Sequence, residues 1–83
     1  MEKKVLVTGF NGEIGSKIIK ELVSLDKQII AIDVNDSKGK IESVKYIKDS
    51  ILNYDLIKSI FENNRITEVY HFAAILSQSA TKN

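Results

Sequence analysis

The sequence predicts an α/β domain built on a parallel sheet, and three observations carry that reading. Short runs rich in β-branched residues alternate with segments of helical spacing. The two strongest runs are apolar throughout, as in strands covered on both faces. The order is strand, helix, strand, short strand, helix, strand, a βαβ-type succession with right-handed crossovers.

Each element has its own signal. Lys4-Val5-Leu6-Val7-Thr8 is a Val-rich run closed by Gly9, which suits a buried strand. From Glu13 the spacing turns helical. Ile14, Ile18, Leu22 and Leu25 recur at steps of three or four, and Ile19 and Val23 widen the stripe. Gln28 to Asp33 is a second buried strand. Val34 to Ser43 gathers Asn35, Asp36, Ser37 and Gly39 among lysines and reads as a surface loop. At about ten residues it is short for a crossover helix. Val44 to Ile47 alternates apolar and polar as a short third strand. Tyr54 to Asn63 places Ile57, Ile60 and Phe61 on one helical face and stops at Asn63-Asn64. Ile66 to Phe72 is the fourth strand.

Composition narrows the function classes. At 83 residues the chain holds one small domain, and 43% hydrophobic with 28% charged residues suits a folded, water-exposed protein. A domain of this size buries roughly 60–65% of its unfolded surface, so its stability is marginal. Lys and Arg number 12 against 11 Asp and Glu, for a net charge of +1 without a basic patch, which argues against a nucleic-acid partner. There is no cysteine, which excludes disulfides, thiolate metal sites and Cys nucleophiles. No apolar run approaches the ~20 residues of a membrane span, and the start lacks a signal-peptide core. A cytoplasmic location is the default expectation, with no membrane partner.

The chemistry concentrates in Val5-Leu6-Val7-Thr8-Gly9-Phe10-Asn11-Gly12-Glu13-Ile14-Gly15. Glycines recur every third residue between a buried strand and an amphipathic helix. Gly9 permits the sharp turn, Gly12 lets a pyrophosphate approach the backbone, and Gly15 permits tight packing of helix on sheet. The helix N-terminus offers unpaired N–H groups and the positive end of its dipole. Asn11 can take a left-handed conformation or donate a hydrogen bond there. The spacing is G-x-x-G-x-x-G, with Phe10 at the middle position of the commoner G-x-G-x-x-G. Glycines in such a loop also serve purely structural turns, and a second feature argues for a ligand. Asp33, at the end of the second strand and about 20 residues on, is placed to accept both ribose hydroxyls of adenosine. It would repel a 2′-phosphate, and Val34-Asn35 supply no Arg, so NAD is favoured over NADP.

With these residues in view, the chain resembles the extended short-chain dehydrogenase/reductase superfamily of NAD-dependent epimerases and dehydratases. Thr8 to Gly15 matches its T-G-x-x-G-x-x-G signature, Asp33 its ribose-binding Asp, and His71-Phe72-Ala73-Ala74 its H-x-A-A segment. Within it, Tyr70 to Ser77 with Lys82-Asn83 is most similar to the short-chain type of L-threonine 3-dehydrogenase. The resemblance implies a Rossmann-type sheet of order 3-2-1-4, N-terminal half only, with 1–83 as one truncated NAD(P)-binding domain.

It also implies where a dinucleotide would lie. Gly9, Asn11, Gly12, Glu13, Ile14 and Gly15 would hold the pyrophosphate, and Asp33 with Val34 the adenosine ribose. The family's Asp-plus-aliphatic pair at the adenine aligns with Ser50-Ile51, with Asp49 one residue early, so the Ile51 N–H is the contact that remains. Phe72, Ala73 and Ala74 would floor the cofactor, and Ser77 resembles a substrate-contacting serine. The family's catalytic pair is Tyr-x-x-x-Lys on a later helix. Tyr54 and Lys58 satisfy that spacing but fall before the fourth strand, so they read as a surface pair and no catalytic residue is assigned. His71 has no ligand-spaced companion and reads as a structural histidine satisfied by backbone, and no metal site is expected.

Two functions follow. One is the NAD-binding portion of an epimerase or dehydrogenase, catalytically incomplete. The other is a nucleotide-binding or interaction module without catalysis. Strand four should form a free edge, so self-association is expected there.

Overall fold

The computed structural model of the chain describes residues 2–36 and 39–72. Ala73, Ala74 and Ser77, expected at the cofactor floor and the substrate, lie outside the described residues. The elements run β1 (Lys3–Thr8), α1 (Glu13–Ser24), β2 (Gln28–Asp33), β3 (Val44–Lys48), α2 (Tyr54–Asn63) and β4 (Arg65–His71). The four strands form one sheet of order β3-β2-β1-β4, parallel at every pairing. The Rossmann-type order is therefore as expected. The link from β2 to β3, short for a crossover helix and without one among its described residues, still delivers a parallel neighbour.

Period two in the strands sorts the core into two layers. Val5, Val7, Ile29 and Ala31 face α1, where they meet Ile19 and Leu22. Leu6, Ile30 and Ile32 face the other way, toward Ile60 of α2. Covering both faces explains why β1 and β2 read as unbroken apolar runs.

The helices are less fully buried than their composition suggests. Ile14 and Leu25, assigned to the apolar stripe of α1, are 66% and 61% exposed. At 3.6 residues per turn they sit about a quarter-turn off the line Gly15–Ile19–Leu22 that meets the sheet. Phe61 stands in the same relation to Ile60 on α2 and is exposed. Helix α1 ends in a Schellman motif. Lys27 N–H bonds the Leu22 carbonyl, Asp26 N–H bonds that of Val23, and Asp26 takes the left-handed conformation.

Strand β4 carries a bulge. Lys4 pairs with Ile66 but Val5 pairs with Glu68, so Thr67 is an extra residue. The bulge reverses which face each later side chain takes. Ile66 therefore packs with the α2 layer, whereas Tyr70 packs with the α1 layer.

Candidate dinucleotide site

The site lies at the carboxyl ends of the strands, where ligands of open parallel sheets bind. Sheet hydrogen bonding continues one residue past several strands, which fixes the loops that follow. Gly9 N–H bonds the Ile32 carbonyl at 2.8 Å, Asp49 N–H that of Asp33 at 2.9 Å, and Phe72 N–H that of Thr8 at 2.9 Å.

Beyond β1 the chain turns at Gly9, whose φ of 77° favours glycine. Phe10 swings its ring inward, 3% exposed, and meets Tyr46 edge-to-face at 5.1 Å. A phenylalanine between the first two glycines thus anchors the loop to the core and leaves its outer side open. Gly12 caps α1 in an extended conformation with no side-chain hydrogen bond to the helix. Ser16 N–H takes the Gly12 carbonyl. The N–H groups of Glu13, Ile14 and Gly15 therefore precede the first helical bond and have no carbonyl of their own helix. A Cβ at Gly12 would meet nothing within 4 Å, so the space above the loop is clear. A Cβ at Gly15 would sit 2.6 Å from the Gly9 carbonyl oxygen and 3.1 Å from Phe10 Cα. Gly15 thus permits close packing of α1 on its own loop, not on the sheet as the sequence suggested.

Across from this loop stands Asp33. Its Oδ2 accepts from Asn11 N–H at 3.2 Å and its Oδ1 from Asn35 N–H at 3.0 Å. A carboxylate has about four acceptor positions, so lone pairs remain for ribose hydroxyls. A cleft of about 400 Å³ joins the two parts, and its wall includes Gly9, Asn11, Gly12, Asp33, Val34, Ser50 and Ile51. Glu13, Ile14 and Gly15 lie in the first turn of α1, outside that wall, and Phe72 packs against the α1 layer of the core.

Asn35 and Asp49 also line the cleft and were not assigned from sequence. For Asn35 the signal was Asp33 two residues earlier, the spacing of an Asx turn. The Asp49 carboxylate also braces the turn into α2, accepting from Ser50 N–H at 2.7 Å and the Asn53 amide at 3.1 Å. Among the described residues no lysine or arginine is in the wall, and the loop would offer a diphosphate its backbone N–H groups.

Thr8, 2% exposed, and His71 are register partners, with Thr8 Oγ1 2.6 Å from His71 Nδ1. The histidine's partner is thus a side chain, where backbone was expected. Tyr54 and Lys58 are exposed on α2, and Tyr54 is outside the cleft wall. Among the described residues no group of His, Asp or Glu is arranged to hold a metal, and no helix is long and apolar enough to cross a membrane.

Residues 5–83 match the NAD dependent epimerase/dehydratase family. The chain belongs to that family. NAD is the family's cofactor. A UDP-glucose 4-epimerase of Haemophilus influenzae is 36% identical over 81 residues, 86% of this chain and 24% of that enzyme. The mitochondrial L-threonine 3-dehydrogenase of Bos taurus is 29% identical over 79 residues, 92% of this chain and 21% of that enzyme. The Bordetella bronchiseptica enzyme WbmG, solved with NAD and UDP, superposes with a TM-score of 0.68 at 27% identity, covering 81% of this chain and 23% of that one. The chain thus spans about a quarter of the length of the relatives it matches.

Proposed function

We propose that the chain holds NAD in the cleft between the glycine loop and Asp33, as the nucleotide-binding part of an enzyme that moves hydride at a hydroxyl-bearing carbon. One observation carries this reading. A helix N-terminus without a side-chain cap and a strand-end carboxylate face one cleft, as a diphosphate and an adenosine ribose require. Bound there, NAD supplies the hydride chemistry. The residues of this chain bind and orient it. The N–H groups from Gly12 to Gly15 meet the diphosphate, Asp33 takes the ribose hydroxyls, and Ile51 offers its N–H near the adenine.

UDP-glucose and L-threonine both carry a secondary hydroxyl, which is the chemistry common to the two groups of relatives. L-threonine 3-dehydrogenase is the narrower proposal, supported by the likeness of Tyr70 to Ser77. The described residues bring no Tyr-x-x-x-Lys pair to the cleft, so the proposed role of this chain is binding without turnover. The reading includes association of two copies through the edge of β4. That strand pairs only with β1 among the described strands, and its Val69 is 48% exposed.

Titration with NAD, ADP-ribose and NADP tests the reading. NAD and ADP-ribose are expected to bind alike and NADP more weakly, because its 2′-phosphate would meet the Asp33 carboxylate. Asp33→Arg is expected to narrow or invert the preference. An unchanged ratio would remove Asp33 from the site, and hydride transfer detected by nicotinamide absorbance would contradict the absence of turnover.

A further inference from the structure

Asn11 is the point at which the two halves of the cleft are fastened together. Its backbone N–H donates to Asp33 Oδ2 at 3.2 Å. Its side-chain amide nitrogen reaches 3.0 Å from the Asn35 carbonyl and 3.2 Å from that of Asp36. Both neighbours are carbonyl oxygens, so only the NH₂ end of the amide can bond them. Asn35 in turn donates its N–H to the other oxygen of Asp33. The result is a closed ring of hydrogen bonds from the glycine loop to the segment after β2 and back to the ribose-facing carboxylate.

That ring spans 22 residues of sequence between Asn11 and Asp33, and no bond of the sheet ladder passes through Asn11. Asn11 also stands between two clefts. It lines the one with Asp33 and a second, of about 640 Å³, that runs between α1 and Tyr46. Asn11 does not use the left-handed conformation its residue type allows, since Asp26 alone does so among the described non-glycine residues. Its side chain is used as a donor.

We infer that Asn11 is a positioning residue. It latches the phosphate-facing loop to the loop carrying Asn35, and so holds the Asp33 carboxylate at the distance a nucleotide needs to touch both. This rests on the dinucleotide reading and adds to it a residue whose side chain acts through Asp33 and not on the cofactor. The consequence is selective. A ligand that touches only the phosphate end is indifferent to the latch, whereas one that spans both ends depends on it.

Calorimetric titration of ADP-ribose and of inorganic pyrophosphate tests this on the unsubstituted protein, Asn11→Ala, Asn11→Asp, Asp33→Ala and the Asn11→Ala/Asp33→Ala double variant. Asn11→Ala is expected to weaken ADP-ribose about tenfold and pyrophosphate less than about twofold. With Asp33 already removed, Asn11→Ala should change ADP-ribose binding less than about twofold, the non-additivity of groups acting as one unit. Asn11→Asp keeps the shape, cannot donate, and should bind no better than Asn11→Ala. Independent factors in the double variant, equal losses for both ligands, or normal binding by Asn11→Asp would each overturn the latch. If the unsubstituted protein fails to bind ADP-ribose, the dinucleotide reading falls, and the latch is judged on amide exchange at Asn35. Severalfold faster exchange in Asn11→Ala supports it, and unchanged exchange refutes it.

Discussion

The two helices begin in opposite ways. Helix α2 starts at Asn53, whose side-chain oxygen accepts from Leu56 N–H at 3.2 Å, so one of its orphan donors is satisfied within the chain. Helix α1 starts at Gly12, which has no side chain to offer, and opens onto clear space. Both helices carry an acidic residue in the first turn, Glu13 in one and Asp55 in the other, so charge does not distinguish them. The cap does. A helix end closed by its own sequence is a structural element, and one left open beside the cleft is the end we propose receives an anion from outside.

Substitutions can break that contrast, and the largest effect is expected at Gly15. A Cβ there would lie 2.6 Å from the Gly9 carbonyl oxygen, and its nearest neighbours are backbone atoms of Gly9 and Phe10, not a flexible side chain that could yield. Gly15→Ala should cost about 1–3 kcal/mol in a denaturant melt and weaken NAD as the loop is displaced. Gly12→Asp sharpens the comparison, because it gives α1 the cap that α2 already has. The extended conformation at Gly12 suits an N-cap aspartate. Its carboxylate would occupy the donors proposed for the diphosphate, so stability should rise by about 0.3–1 kcal/mol while NAD affinity falls about tenfold or more. Stability and binding moving in opposite directions is the outcome that separates a ligand site from a structural turn.

Asn53→Ala is the converse change. It should cost about 1 kcal/mol of stability and leave NAD affinity unaltered. Loss of NAD binding in that variant would mean that the α2 entrance, with Asp49 and Ser50, contributes more than a wall. The smallest effect is expected at the sheet edge. Val69→Lys should change stability by less than about 0.5 kcal/mol and shift sedimentation toward monomer. Unchanged association would place the contact elsewhere.

Periodicity made most of the fold legible. The ranges of β2 and α2 coincide with their apolar runs, β1 and β3 differ by a residue at one end, and β4 is shifted by one residue at both ends, where strands fray. What periodicity does not contain is the direction of the buried stripe when apolar residues exceed the contact available. Ile14, Leu25 and Phe61 are apolar and outside for that reason. The bulge at Thr67 was likewise hidden, because an inserted residue leaves no mark on a strand whose partner is distant in sequence.

The site was legible to the same depth. Gly9, Gly12 and Asp33, singled out by spacing, line one cleft. The partner of Gly15, the ring through Asn11 and the inward turn of Phe10 depend on which segments meet in space. Only Asn35 had a local cue, the donor two residues after an aspartate.

The most direct measurement of the central claim is amide chemical-shift mapping of the protein as ADP-ribose is added. The largest changes are expected at the N–H groups of Gly12, Glu13 and Ile14, with a second set at Asn11 and Asn35 beside Asp33. Saturable binding that leaves the first turn of α1 unmoved, with its changes confined to other loops, would contradict the account.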